Sequence, residues 1–153
     1  MKFIKLTKEK QTIVDDEDYE YLSQWKWYYS ANYAIRTDNK NKCKEILHRI
    51  ILKCPKEFYI DHINGNTLDN RKSNLRICTH KENNQNRKVS KNLKKLSKFK
   101  GVSKTHDKYW RAYIKVGKKQ IFLGSFNNEI DAAKAYNKAA IKYYKEFARL
   151  NNV

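Results

Sequence analysis

Short apolar stretches separated by polar turns fill the first third of the chain. One or two short strands are predicted around a polar turn at residues 7–10. Their apolar positions are Phe3, Ile4 and Leu6 before the turn and residues 12–14 after it. The chain therefore begins with one or two short strands.

An acidic run at residues 15–18 follows these residues. An aspartate N-cap at Asp15, with further acids in the first turn, stabilises a helix through its dipole. We therefore prefer a helix start here to a metal site. The helix presents Tyr19, Leu22, and Trp25 or Lys26 on one face.

Aromatic residues dominate the next two predicted strands, at residues 27–29 and 33–35. Their rings either form the core of a small sheet or act as stacking platforms for nucleic-acid bases, and we prefer the core. A helix that ends before Pro55 is predicted next. Its apolar face is made of Ile46, Leu47, Ile50 and Ile51.

The stretch at residues 59–87 has the pattern strand, loop, strand, helix. Its first strand ends at the pair Asp61 and His62, and an Asn-Gly turn follows, which is a strong loop signal. After a second short strand, Thr79 is predicted to cap the helix because Glu82 stands three residues later, in capping-box spacing.

Beyond residue 98 the apolar residues alternate with polar ones. This predicts three strands, the last two at 109–116 and 120–126 with a hairpin between them, and then a helix. The apolar stripe of that helix is Ile130, Ala133, Tyr136, Ala140, Tyr143 or Tyr144, and Phe147. The fold class is therefore α+β: a ββα module followed by a three-stranded antiparallel sheet with one helix.

Composition adds a strong charge bias to this picture. The chain has 153 residues, enough for two small modules, and 34 Lys and Arg against 16 Asp and Glu give a formal net charge of +18. Such a surplus indicates a protein that binds a polyanion. By charge alone, an RNA-binding or a membrane-surface protein fits as well as a DNA-binding one.

The basic residues are concentrated in one block. Between Glu82 and Asp107 there is no acidic residue. The lysines of this block that we expect to contact DNA phosphates are Lys88, Lys91, Lys94, Lys95, Lys98, Lys100 and Lys104. We interpret residues 88–97 as a basic linker, with a merely solvated spacer as the alternative.

The three cysteines, Cys43, Cys54 and Cys78, include no Cys-x-x-Cys pair, so neither a disulfide framework nor a structural zinc site is expected. Zinc bound by these thiols and His80 is the weaker alternative to three buried thiols in a reducing compartment. The N-terminus lacks an apolar signal region, and no apolar run approaches membrane-spanning length. We expect a cytoplasmic protein with no membrane partner.

The run DHINGNTLDNRKSNLRICT, with its strand-loop-strand-helix pattern, resembles phage-type H-N-H homing endonucleases. Their fold is a ββα unit closed around one divalent metal ion. The resemblance places the family's functional positions at Asp61, His62, Asn74 and Asn83. It also implies that Asn74 braces the loop so that the imidazole faces the phosphate. Taken singly, these residues are equally well explained as turn and cap residues.

The residue types suit phosphodiester hydrolysis. Asp61 would offer a carboxylate oxygen and Asn83 an amide oxygen to a hard divalent ion, most plausibly Mg²⁺ or Mn²⁺. His62 titrates near neutrality and would accept the proton of the attacking water. By the same resemblance, which extends over LHRII, His48 or Arg49 lies near the active site, although a structural role for His48 explains it equally well.

The segments FKGV, YWRAYI, FLGSF and DAAKAYNKAAIKY, within residues 98–151, resemble the Apetala-type (ethylene-response-factor) DNA-binding domain. In that family the face of the three-stranded sheet enters the major groove. Because Ser103, Thr105 and Gln120 stand where plant members hold arginines, the plant base preference does not carry over. The candidate DNA contacts here are Lys98, Lys100, Ser103, Lys104, Arg111, Tyr113, Lys115, Lys119, Gln120 and Phe122.

These observations lead to one interpretation. The chain is a metal-dependent endonuclease of duplex DNA in the homing or phage manner, with a nuclease domain at residues 1–87, the linker at 88–97 and a DNA-binding domain at 98–153. One active site per chain predicts a nick from a monomer, whereas a dimer would cut both strands. The rivals are a DNA-binding regulator built on a silent H-N-H scaffold and a protein that binds or cuts RNA.

Overall fold

The computed structural model describes residues 1–38, 40, 42–87, 97–105 and 108–153. The chain divides into two compact units, Met1–Asn83 and Asn84–Val153. Lys88, Lys91, Lys94 and Lys95, and all of the predicted linker except Ser97, lie outside the described residues. Across the described parts of the chain, no helix is both long enough and apolar enough to cross a membrane.

The N-terminal unit begins with an antiparallel hairpin, a helix and a three-stranded antiparallel sheet. The elements are β1 Lys2–Lys5, β2 Gln11–Val14, α1 Asp16–Ser23, β3 Tyr28–Ser30, β4 Tyr33–Asp38, β5 Cys43–Ile46 and α2 Leu47–Ile51. All but β5 were predicted from the apolar pattern. That strand was missed because its residues are mostly polar, and it pairs with β4 partly through an Arg36–Glu45 salt bridge of 2.6 Å.

The core of this unit buries Trp27, and Tyr29 packs partly against it. Its buried side chains are Ile4, Leu6, Val14, Leu22, Trp27, Ala34 and Leu47. The indole N–H of Trp27 donates to the Leu22 carbonyl at 2.8 Å, so the buried ring has its one polar atom satisfied. Trp25 packs against the edge of this core and stacks under the Arg36 guanidinium at 3.6 Å.

Two local predictions for the N-terminal unit are wrong. Asp15 precedes α1 as predicted, but its side chain does not cap that helix; its Oδ2 accepts the backbone N–H of Lys72 at 2.7 Å, at the 3₁₀ helix Lys72–Asn74. Cys78 is buried, yet Cys43 is exposed, so the three thiols are not all internal. Asp15 is bonded to a residue distant in sequence, and Cys43 lies on the edge strand β5, so the local signal does not decide either position.

The predicted ββα unit is present. Strand β6 (Tyr59–His62) pairs antiparallel with β7 (Leu75–Cys78), and helix α3 (His80–Asn86) follows. The capping box is formed, because the Thr79 N–H donates to Glu82 Oε2 at 2.8 Å and the Glu82 N–H donates to Thr79 Oγ1 at 3.3 Å.

The C-terminal unit has the predicted antiparallel sheet, ordered β8–β9–β10, and a covering helix. Its elements are β8 Val102–Lys104, β9 Trp110–Val116, β10 Lys119–Phe126 and α4 Glu129–Tyr144. Asn128 caps α4 by accepting the Asp131 N–H at 2.8 Å. Ile130 is half exposed, so the stripe predicted from this residue is misplaced at its start. The residues that α4 buries are Ala132, Ala133, Tyr136, Ala139, Ala140 and Tyr144.

Gly101 explains how closely α4 approaches the sheet. Its φ is +73°, and a Cβ at this position would lie 2.0 Å from Cδ2 of Tyr136. Only glycine permits both this backbone conformation and this contact. The buried Tyr136 ring therefore packs directly on the peptide backbone that leads into β8.

Candidate active site of the ββα unit

His62 ends strand β6 and is buried, with 5% of its surface exposed. Its Nε2 lies 3.1 Å from Oδ1 of Asn70, which is itself buried. Burial lowers the pKa of His62 below its ordinary value, although the Asn70 hydrogen bond and the nearby Asp61 raise it in part. The imidazole is therefore neutral at neutral pH, which is the form that accepts a proton.

Asn74 holds the loop between the two strands. Its Nδ2 donates to the Asp69 carbonyl at 2.7 Å, and its Oδ1 accepts the Asn64 N–H at 3.0 Å. Its backbone carbonyl accepts the Ile63 N–H at 2.9 Å. The expected bracing role thus has a physical basis, because one buried amide ties both ends of the loop that follows His62.

His48 packs against His62, where the sequence had left its role open. The two rings meet edge to face with centroids 5.1 Å apart, and Tyr33 lies 5.2 Å from His48 and 6.3 Å from His62. Burial, then the neighbouring His62 and Arg49, lowers the pKa of His48 to about 3. His48 is thus a neutral ring that packs beside the imidazole of His62.

Arg49 has a different place. Its guanidinium donates to the carbonyls of Phe58, Cys54 and Pro55, at 3.2, 3.2 and 2.7 Å. These bonds fix the turn that leads into β6. Arg49 therefore supports the first strand of the ββα unit through backbone carbonyls.

The outer face of the C-terminal sheet carries polar and aromatic side chains in cross-strand rows. Ser103 and Ser125 flank Arg111, Tyr113 pairs with Phe122, and Lys115 pairs with Gln120. The Tyr113 and Phe122 rings lie 5.3 Å apart, and Phe122 is 54% exposed. The opposite face packs Ala112 and Ile114 under α4, so the sheet alternates between core and a surface open to a partner.

Three residues that were predicted to contact DNA do not lie on this outer sheet face. Lys104 pairs with Trp110, on the opposite face from Arg111, and its amino group lies 5.5 Å from that indole. Lys119 stands at the hairpin end of β10. Lys100 precedes the sheet; its amino group donates to the carbonyls of Gln85 and Arg87, and burial lowers its pKa to about 8. Lys98 is exposed.

Comparison with known proteins identifies the family. A family model described as HNH endonuclease matches residues 53–85. A protein of Acanthamoeba polyphaga mimivirus, described as an uncharacterized HNH endonuclease, is 30% identical over 136 residues, which are 86% of this chain and 70% of the viral protein. The chain belongs to the H-N-H endonuclease family.

Two further relatives each match one part of this H-N-H endonuclease. Protein 3.8 of Escherichia phage T7 is 40% identical over 67 residues, 43% of this chain and 54% of the phage protein. APETALA2-like protein 2 of Oryza sativa is 45% identical over 49 residues, 31% of this chain and 11% of the rice protein. Both resemblances drawn from the sequence are thus confirmed, the Apetala-type one over a limited part of the chain.

H-N-H endonucleases generally use a divalent metal, and the oxygen donors expected here suit a hard ion. Asp61 is buried, and its Oδ2 accepts from Nε and Nη2 of Arg76 at 2.9 and 2.6 Å. Asn83 is half-buried on α3. An ion held by these two residues would share the Asp61 carboxylate with the Arg76 guanidinium.

The zinc alternative gains no support from the cysteines. Burial, together with the nearby Asp61, raises the pKa of Cys78 to about 11, so this thiol stays protonated. Within the described residues, no three His, Cys, Asp or Glu side chains come together as a metal site. A carboxylate-and-amide pair is the donor set to consider.

Sequence reasoning missed Asn70, Arg76 and Thr12. Asn70 bonds His62, and Arg76 faces Asp61 across the β6–β7 ladder. Thr12 accepts the Asn70 Nδ2 at 2.6 Å although the two residues are 58 positions apart. Asp61 and Arg76 could have been paired only from the strand register of the hairpin that contains DHINGN. No local feature of the sequence predicts the contact of Thr12 with Asn70.

Proposed function

We propose that this H-N-H endonuclease hydrolyses phosphodiester bonds in duplex DNA, with His62 as the general base. The observation that supports this most directly is the state of His62: a neutral imidazole at a strand end, held at Nε2 by Asn70. A general base must be unprotonated and fixed in direction before substrate arrives. Asn70 and Asn74 meet the second requirement, and burial meets the first.

The chemistry follows from that base. A water beside the imidazole gives its proton to His62 while its oxygen attacks the phosphorus. The bond from phosphorus to the 3′ oxygen breaks, and the 3′ oxygen takes up a proton from solvent. The products are a 5′-phosphate and a 3′-hydroxyl, and His62 returns its proton to solvent before the next turnover.

Asp61 and Asn83 are the residues that would hold a divalent ion, Mg²⁺ or Mn²⁺. When bound, such an ion supplies charge for the phosphate oxygens and the leaving 3′ oxygen. The Arg76 guanidinium already pairs with the Asp61 carboxylate at 2.6 Å, so an ion at Asp61 would bind beside this cation.

We propose that the remaining positive charge holds DNA. We assign residues 1–87 to cutting, 88–97 to a basic linker and 98–153 to binding, as the sequence predicted. The similarity to the rice APETALA2-like protein supports contact through the outer sheet face, whose side chains are Ser103, Arg111, Tyr113, Lys115, Gln120 and Phe122. Lys88, Lys91, Lys94, Lys95 and Lys98 would add phosphate contacts.

The similarity to a phage protein supports action in the phage or homing manner, in the cytoplasm of a bacterial host. A monomer carries one ββα site and would nick one strand.

The aromatic pair on the sheet, Tyr113 and Phe122, offers apolar contact to thymine methyl groups where arginine would read guanine.

Supercoiled-plasmid conversion tests the proposal. Wild-type protein should convert supercoiled to open-circular DNA with Mg²⁺ or Mn²⁺ and not with EDTA, and His62→Ala should lose at least about 10²-fold in rate. His80→Ala, which changes an exposed histidine of α3, is the matched control. Single-stranded DNA and RNA of the same sequence show whether the substrate is instead one of these.

One observation favours the rival, a DNA-binding regulator with a silent site. The Arg76–Asp61 ion pair already neutralises the carboxylate that an ion would use. If wild-type protein shifts the plasmid in a gel but leaves it uncut with every metal tried, the regulator reading replaces the endonuclease.

A further inference from the structure

A chain of hydrogen bonds runs from the N-terminal hairpin to His62. Thr12, on strand β2, is fully buried, and its Oγ1 donates to the Leu68 carbonyl at 2.9 Å. Asn70, 1% exposed, donates from Nδ2 to the same Oγ1 at 2.6 Å. The Asn70 Oδ1 lies 3.1 Å from Nε2 of His62.

The donors and acceptors in this series of hydrogen bonds admit one arrangement. A carbonyl only accepts, so the single hydroxyl proton of Thr12 is committed to Leu68. The Thr12 oxygen must therefore accept from Asn70, which turns the Asn70 NH₂ group towards Thr12 and its carbonyl oxygen towards His62. Because that oxygen only accepts, Nε2 of His62 must carry the proton, and a neutral ring then has its lone pair on Nδ1.

The backbone fixes the same contact. The Ile13 N–H donates to the Leu68 carbonyl, and the Asn70 N–H donates to the Ile13 carbonyl, both at 2.8 Å. Strand β2 thus holds the loop on either side of Asp69, which it meets in a parallel bridge. The Thr12 side chain and the β2 backbone position Asn70 together, so the amide cannot shift independently of the hairpin.

We infer that Thr12 is a positioning residue: acting through Asn70, it holds the neutral imidazole of His62 in the Nε2–H tautomer and so assigns Nδ1 as the proton acceptor. Thr12 lies outside residues 53–85, the part that matches the family model. The N-terminal hairpin is therefore part of the active-site machinery. The catalytic consequence rests on the proposed function, whereas the tautomer does not.

Nitrogen-15 NMR of the side chains of the full, metal-free chain tests the tautomer. At pH 8, two-bond couplings distinguish Nε2–H from Nδ1–H, and a His62→Ala spectrum assigns the signal among the four histidines. Wild type and Thr12→Ser should show the Nε2–H form. Thr12→Val keeps the shape but removes the hydroxyl, so Asn70 can turn over and His62 should show a mixture of both forms.

Kinetics separate positioning from general damage. Thr12→Val should lower kcat by roughly ten-fold with KM unchanged, and Thr12→Ser should restore it. Thr37→Val is the matched control, because its hydroxyl bonds the exposed Tyr28 hydroxyl at 2.9 Å, far from Asn70 in the sequence. Amide spectra recorded beforehand confirm that Thr12→Val is folded; if it is not, Asn70→Ala takes its place with the same expected mixture.

The outcomes are distinct for the two proposals. An Nδ1–H form in wild type, or the same tautomer and kcat in Thr12→Val as in wild type, overturns the inference. A tautomer that changes in Thr12→Val while neither protein cleaves any substrate supports the inference and refutes the endonuclease proposal. Cleavage that is lost in His62→Ala but unchanged in Thr12→Val supports the endonuclease proposal and refutes the inference about Thr12.

Discussion

Acid should destabilise the N-terminal unit through His48, and a His48→Phe variant should lose that sensitivity. His48 is buried edge to face against His62 and Tyr33. Burial is the largest reason for its low pKa, and the like charges of His62 and Arg49 add to it. Phenylalanine has a similar shape and cannot be protonated, so it keeps the ring contacts and removes the titration.

The sign and size follow from proton linkage. The pKa falls from 6.5 in the unfolded chain to about 3 in the folded one. Between these values the unfolded state binds the proton and the folded state does not, so stability is complete above pH 6.5 and declines as the pH falls. Each pH unit between these values removes roughly 1 kcal/mol or a little more, and a change from pH 7.5 to 4.5 removes roughly 3 kcal/mol through His48 alone.

Urea unfolding of the full chain at pH 7.5 and 4.5 measures this loss. Trp25 and Trp27 belong to the N-terminal unit, so a Trp110→Phe background makes tryptophan fluorescence specific to it. With His48 present, the loss on acidification should exceed that of His48→Phe by roughly 3 kcal/mol. The carboxylates are common to both proteins, and their contribution cancels.

Equal losses, within about 0.5 kcal/mol, would refute the reasoning, because they would show that His48 is protonated as easily in the folded protein as in the unfolded one. A smaller slope must remain in His48→Phe, since His62 also has a lowered pKa. His62→Phe in the same background measures that remainder.

Three other substitutions have defined outcomes. Arg76→Gln leaves the buried Asp61 without its cation and should cost roughly 3–5 kcal/mol without metal. Mg²⁺ or Mn²⁺ should then raise its melting temperature more than that of wild type; equal shifts would contradict metal binding at Asp61. Gly101→Ala forces a Cβ into the Tyr136 ring and should destabilise the C-terminal unit by roughly 2 kcal/mol or more, measured by Trp110 fluorescence in urea, and a neutral result would refute the packing. Lys115→Ala should reduce the salt slope of duplex binding, measured by anisotropy, by roughly 0.9 if it contacts one phosphate. An unchanged slope would remove this face from the interface.

Local signals in the sequence were sufficient for most elements. The capping box spans four residues, the β9–β10 hairpin is closed by two, and the Asn-Gly turn lies within three residues of His62. Each of these features is decided by neighbours in the chain. For the same reason the ββα unit, with His62 at the end of its first strand, was predictable without the structure.

The contacts that orient His62 were not predictable in this way. Thr12 and Asn70 are 58 positions apart, and His48 reaches His62 only because β4, α2 and β6 fold around one core. Nothing in the sequence near Asn70 distinguishes it from the other asparagines of the loop. Which amide holds the imidazole is decided by the path of the loop past β2, and that path is a property of the tertiary structure.

The basic residues illustrate the limit of counting charges. Lys100 belongs to the basic block by sequence, yet its amino group donates to two backbone carbonyls, and burial lowers its pKa to about 8. Arg111 and Lys115, in contrast, are exposed on the sheet face. Lys100 is half-buried against those carbonyls, so it is expected to release fewer condensed counterions when DNA binds than an exposed cation does. The 34 Lys and Arg residues therefore set an upper bound on phosphate contacts, and the burial of each cation decides how far below that bound the salt slope falls.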